Sequence, residues 1–185
     1  MNSHHVSKEA ILSVGKEIVS QSGINALNMR NIAQRCNISV GSVYNYFPSK
    51  GDLIIATIES VWQEIIYDSQ NDHEKLGFTE TIYVIFENIQ KGSQKYSSFF
   101  SVHPLSLANM QKKQGRVVMH QYFIYMKKGL LTALEQDTKV REEVFSDAFT
   151  KSAFVDFIFS NILTLLMNEK TSCEYLLEIV RQILY

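Results

Sequence analysis

From Ser39 to Lys50 the chain reads Ser-Val-Gly-Ser-Val-Tyr-Asn-Tyr-Phe-Pro-Ser-Lys. Hydroxyls, one amide, a glycine and a lysine crowd together here with no acid, thiol or imidazole among them. That chemistry is recognition, not bond breaking. Ser42 and Asn45 can each donate and accept a hydrogen bond at a base edge, Val40 can meet a thymine methyl, and Gly41 permits close approach. Tyr44, Tyr46 and Lys50, with Asn28 and Arg30 upstream, suit phosphate oxygens, contacts that position a protein on DNA without reading sequence. Ser39 opens the segment at a helix N-terminus, where backbone N–H groups and the helix dipole favour phosphate.

These side chains can work together only if short helices present them. Ile11, Val14, Ile18 and Val19 recur at helical spacing and predict a helix over Lys8 to Ser22. Gly23 supplies a left-handed stop. Asn28 is an N-cap for a helix over Met29 to Cys36, and Asn37 can take the left-handed conformation at its end. Ser39 caps a third helix that runs to about Phe47, where Pro48 blocks continuation. Two short helices joined by Asn37-Ile38-Ser39 match a helix-turn-helix, whose second helix enters the major groove. Ile32, Ala33, Ile38, Val43 and Phe47 are placed to form its small core. Ser49 and Asp52 then fit a capping box, with Pro48 and Leu53 as the staple, for a long helix reaching about Tyr67.

Composition narrows the alternatives. Among 185 residues there are 2 Pro and 8 Gly, a scarcity that suits long helices over turn-rich β folds. The formal net charge of −1 carries no global signal for nucleic acid. Cys36 and Cys173 lie far apart, without metal or redox spacing, and read as idle thiols in a reducing compartment. His103 and His120 lack the i, i+4 spacing of a helical metal site, so no metal or cofactor is expected. No Gly-rich phosphate loop, nucleophile elbow or zinc-protease motif is present, so an enzyme is not expected. The most apolar stretch, Ala153 to Met167, is shorter than a membrane span and contains Asp156 and Asn161. With no leader-like N-terminal run, a cytoplasmic location without membrane association is the expectation.

The run Gly23 to Ala33 and the run Ile38 to Leu53, above all Tyr-x-Tyr-Phe-Pro-Ser-Lys after Ser-x-Gly, resemble the tetracycline-repressor (TetR) family over about residues 8 to 60. This sequence has Asn28 where the family usually has Thr, and Asn keeps the capping chemistry. It has Asn37 where the family usually has Gly, and Gly51 where a charged residue is usual.

The resemblance implies an all-α protein. A DNA-binding helix-turn-helix domain over residues 1–50 precedes a helical ligand-binding and dimerisation domain over 51–185. It implies a homodimer on a pseudo-palindromic double-stranded DNA operator, acting as a repressor released by a small apolar or aromatic effector. An activator, or a regulator without a ligand, fits the same residues. Further helices are expected over about Thr79 to Tyr96, Arg116 to Gln136, Val140 to Met167 and Ser172 to Leu184, with a short piece broken at Pro104. Phe99, Phe100, His103, Met110, Tyr122, Phe123, Met126 and Phe157 are the expected effector contacts. Phe154, Ile158, Ile162, Leu165, Leu176, Ile179 and Ile183 are the expected dimer contacts. Core packing at helical spacing competes for each of these residues.

Overall fold

The computed structural model describes residues 6–67, 76–97 and 114–185. Eight α-helices account for most of them: α1 (Lys8–Ser22), α2 (Met29–Arg35), α3 (Val40–Tyr46), α4 (Lys50–Tyr67), α5 (Phe78–Lys95), α6 (Gln114–Gln136), α7 (Lys151–Met167) and α8 (Glu174–Leu184). The architecture is all-α, as expected. The break at Pro104 and the expected contacts Phe99, Phe100, His103 and Met110 lie outside the described residues.

The described chain divides into two compact units. One is Met1–Glu64 with Gly92–His120, and the other is Ile65–Lys91 with Gln121–Tyr185. The division falls within α4, α5 and α6.

In the first unit local chemistry sets each helix end. Ser7 caps α1 by accepting the Ala10 N–H at 3.2 Å. Gly23 ends α1 at φ 77, ψ 169. That is an extended backbone with positive φ, open essentially to glycine alone, rather than the left-handed helical turn expected. The chain passes straight into a 3₁₀ turn, Ile24–Ala26. Ser49 accepts the Asp52 N–H at 3.2 Å and donates its hydroxyl to the Asp52 carboxylate at 2.7 Å, so α4 begins on a side-chain pair. Ile11, Ile18, Leu27, Ile32, Val43, Phe47, Leu53 and Val61 are buried in this unit.

In the second unit Phe78, Phe86, Leu130, Leu134, Phe154, Ile158, Ile162, Leu176 and Val180 are buried. The Asp137 carboxylate, just past α6, ties three segments. It accepts the Phe78 N–H at 2.9 Å and the Tyr185 hydroxyl at 2.6 Å. Burial pushes the Asp137 carboxyl up, but these bonds and the Lys139 N–H outweigh it and hold the group below the ordinary range.

One expectation is corrected here. Residues 140–150 are not helical: a 3₁₀ turn (Glu142–Val144) and one antiparallel bridge between Ser146 and Phe149 precede α7. Thr150 caps α7 by accepting the Ala153 N–H at 3.1 Å. The aromatic spacing that suggested a helix instead gathers rings across a turn, with Phe149 lying 5.8 Å from Phe145 and 5.6 Å from Phe154 between centroids. Of the expected dimer contacts, Phe154, Ile158, Ile162, Leu165 and Leu176 are buried in the single chain. The outward apolar side chains of α7 and α8 are Phe157, Met167, Tyr175 and Ile179. Ile183 is half-buried. Among the described residues no helix is long and apolar enough to cross a membrane.

Candidate nucleic-acid interface

The first of the two short helices is held at both ends by asparagine. Asn28 accepts the Asn31 N–H at 3.0 Å and anchors its own amide on the Ala26 carbonyl at 3.1 Å. At the other end Asn37 adopts φ 53. The Ile38 N–H reaches back to the Ala33 carbonyl at 3.0 Å and the Asn37 N–H to Gln34 at 3.2 Å. This pair of bonds is a Schellman motif, which normally takes glycine at the left-handed position and accepts asparagine as second best. It reverses the chain so that Ser39 can start α3. Ser39 accepts the Ser42 N–H at 3.0 Å, and the two hydroxyls lie 2.8 Å apart.

The turn sorts the side chains of α3 by face. Val43 and Phe47 are buried against Ile32 and Ala33 of the same small core, while Ile38 is half-buried. The opposite face is open: Val40 is 37% exposed and Tyr44 48%. Gly41, Asn45, Arg30 and Lys50 are exposed beside them, and Ser42 is half-buried. A methyl built on Gly41 would meet only the Ser39 hydroxyl, at 3.6 Å. Packing inside the chain therefore does not require glycine there. Tyr46 is committed elsewhere. Its hydroxyl donates to the Val6 carbonyl at 2.6 Å, so the proton expected to serve a phosphate holds the N-terminal arm instead.

Behind this surface α1 is tied to α4 by a charged cluster that sequence reading missed. Glu64 accepts from Lys16, from Lys95 at 2.5 Å and from the buried Tyr96 hydroxyl at 2.9 Å. Burial pushes the Glu64 carboxyl up, yet the donated bonds prevail and hold it at about 2. Burial, with the bond to the Glu64 carboxylate and its charge, raises the Tyr96 phenol. A carboxyl depressed from 4.5 to about 2 contributes stability that is complete above pH 4.5 and lost as pH falls toward 2. Glu64→Gln is expected to lower stability at neutral pH by about 1.5–3 kcal/mol, the worth of hydrogen bonds to a charged group. It should also flatten the acid limb of the stability–pH curve. Urea unfolding from pH 7 to pH 3 checks both, and an unchanged acid limb would refute the assignment.

Among the described residues no group of three or more His, Cys, Asp or Glu side chains is placed to hold a metal. Of the effector contacts expected from sequence, Met126 is buried at the wall of a cavity in the second unit. The Phe123 ring packs edge-on to Phe159 at 5.2 Å, and Phe157 is 53% exposed. Neither these two nor Tyr122 lines that cavity.

Comparison with known proteins agrees with the geometry. The profile of "Bacterial regulatory proteins, tetR family" matches residues 11–57, the stretch from α1 into α4. The HTH-type transcriptional repressor KstR of Mycolicibacterium smegmatis is 33% identical over 69 residues, which are 37% of this chain and 33% of that protein. The matched stretch thus spans about a third of this relative. Among solved structures, the multidrug binding protein EbrR complexed with imidazole superposes with a TM-score of 0.62 at 19% identity, covering 95% of this chain and 93% of that one. The transcriptional regulator FadR of Bacillus subtilis in complex with stearoyl-CoA gives 0.61 at 18% identity, with 96% and 95% covered. These structures share the fold over nearly the whole chain, while the helix-turn-helix carries the sequence likeness. Residues 11–57 are thus similar to the tetR family of bacterial regulatory proteins, and the fold of such regulators extends over nearly the whole chain.

Proposed function

We propose that this protein is a sequence-specific DNA-binding transcriptional regulator, a homodimeric repressor that a small apolar molecule releases from its operator. One observation carries the DNA-binding part. The outward face of α3 presents Val40, Gly41, Tyr44 and Asn45 to solvent while Val43 and Phe47 hold the helix from behind. Arg30 and Lys50 flank that face as exposed cations for phosphate.

The outward face of α7 and α8 supports the dimer. Phe157, Met167, Tyr175 and Ile179 are each more than two-fifths exposed in the single chain. The polar side chains among them fold back on their own helix: Ser160, Asn161, Thr164 and Asn168 each donate to the carbonyl four residues earlier at 2.8 Å. Their hydrogen-bonding needs are thus partly met, and they can be covered at low cost. In a symmetric dimer the two α3 helices must stand about one DNA turn apart, roughly 34–36 Å, or a multiple of it. A ligand lowers DNA affinity only by binding the two spacings unequally. The cavity of the second unit, about 870 Å³, is of the size that small-molecule sites occupy.

A genomic-fragment binding selection with purified protein tests this reading, run at a stated low salt because phosphate contacts make affinity salt-dependent. Enrichment of one pseudo-palindromic site supports it. Folded, dimeric protein that enriches no site overturns it.

A further inference from the structure

Contacts at both of its ends make α1 the carrier of the recognition helix. Arg35, the last residue of α2, donates to the Gln21 amide oxygen of α1 at 3.1 Å. Tyr46, the last residue of α3, donates to the Val6 carbonyl just ahead of α1 at 2.6 Å. Lys8 of α1 lies 5.7 Å above the centre of the Phe47 ring. Wherever α1 stands on α4, α2 and α3 therefore stand with it.

The seat of α1 on α4 combines contacts of two kinds. Gly15 is buried against Thr57, itself buried, whose hydroxyl donates to the Leu53 carbonyl at 2.8 Å. A methyl built on Gly15 would lie 2.9 Å from the Thr57 hydroxyl oxygen and 3.3 Å from its methyl. The bare backbone of α1 thus rests directly on α4, and such a close contact is a pivot. The apolar side chains buried around it, Ile11, Ile18 and Val61 among them, attract without direction. They hold the helices together more firmly than they hold an angle. The polar contacts are directional. Glu64, seven residues and about 10 Å further along α4, accepts from Lys16 of α1, from Lys95 at 2.5 Å and from the buried Tyr96 hydroxyl at 2.9 Å. Ser20 of α1 donates to the Lys95 carbonyl at 2.7 Å. Lys16 and Ser20 follow Gly15 in the chain, whereas Val6 and Lys8 precede it. The strap therefore grips one arm of α1, and α3 is attached to the other.

We infer that Lys16 and Ser20, held by Glu64 and the Lys95 carbonyl, are positioning residues that set which half-site spacing the protein accepts. In a symmetric dimer the separation of the two α3 helices is defined only if every joint between α3 and the second copy is defined. The seat of α1 on α4 is one such joint. One base pair of added spacing moves a half-site by about 3.4 Å along the duplex and about 35° around it. Following it makes α1 swing on the Gly15–Thr57 pivot, and the swing breaks the strap. The proposal rests on the reading of this protein as a dimeric operator-binding regulator and names what fixes its operator geometry.

The test uses the full-length protein and the paired site recovered by the genomic selection, together with duplexes whose half-sites stand one base pair closer or farther apart. Fluorescence anisotropy titrations give the ratio of affinities for the recovered and the altered spacings. A ratio measured on one preparation does not depend on the folded fraction, so a loss of stability alone leaves it unmoved. In the double variant Lys16→Met with Ser20→Ala, Glu64 keeps Lys95 and Tyr96 as donors, so its charge is not orphaned. The ratio is expected to fall by about fivefold or more in this variant, the worth of a partly exposed charged pair with a hydrogen bond beside it. Lys91→Met, which takes the same charge from the pair with Glu87, should leave the ratio as it is. A wild type that accepts all three spacings equally, a double variant with an unchanged ratio, or an equal fall in Lys91→Met overturns the proposal and leaves the operator reading standing. Folded, dimeric protein that enriches no paired site overturns that reading and the proposal with it.

Discussion

Phe47→Ala is expected to lower the free energy of unfolding by about 3–5 kcal/mol, as for other buried aromatic truncations. The ring is 2% exposed and sits where α3 gives way to Pro48. It closes the small core that Ile32, Ala33 and Val43 begin, and Lys8 of α1 lies 5.7 Å above its centre. A module this small has few other large side chains with which to fill the vacancy. The total stability of a domain is only about 5–15 kcal/mol, so a loss of this size removes much of it. Phe47→Leu, which keeps most of the volume, should lose far less. Urea unfolding followed by circular dichroism gives both numbers. A loss under about 1 kcal/mol for the alanine variant would mean that the ring does not hold α3 from behind.

The N-terminal elements were legible because their signals are local. Lys8–Ser22 was expected and is found, since Gly23 stops the helix whatever surrounds it. Asn28, Asn37 and Ser39 act within four residues of themselves, so their caps could be read from type and spacing alone. The second half was less legible because apolar periodicity does not say which surface covers a side chain. Ile158 and Ile162 look like Ile179 in sequence, yet the first two are buried in their own chain and the third is 44% exposed. Residues 140–150 misled for a related reason. Aromatic rings can meet through a turn at the same spacing that a helix provides, and the signal against a helix was the cap chemistry at Thr150. The cavity was missed because its aliphatic wall reads as ordinary core.

Gly41→Ala is expected to act with opposite signs on folding and on DNA binding. Gly41 lies in α3 between Val40 and Ser42, and its φ is not positive. The space around it is open, with only the Ser39 hydroxyl near at 3.6 Å. Alanine therefore fits without strain and reduces the freedom of the unfolded chain, stabilising the fold by about 0.4–1 kcal/mol. In the proposed DNA-bound state the added methyl stands on the face that approaches the bases. A methyl forced into a packed contact costs about 1–3 kcal/mol, roughly fivefold to 150-fold in affinity. Thermal unfolding and operator titration on one preparation separate the two effects. A rise in Tm with weakened operator binding means that glycine stands there for the groove. A rise in Tm with unchanged binding would place the DNA elsewhere on the module and return α3 to the status of a packing helix.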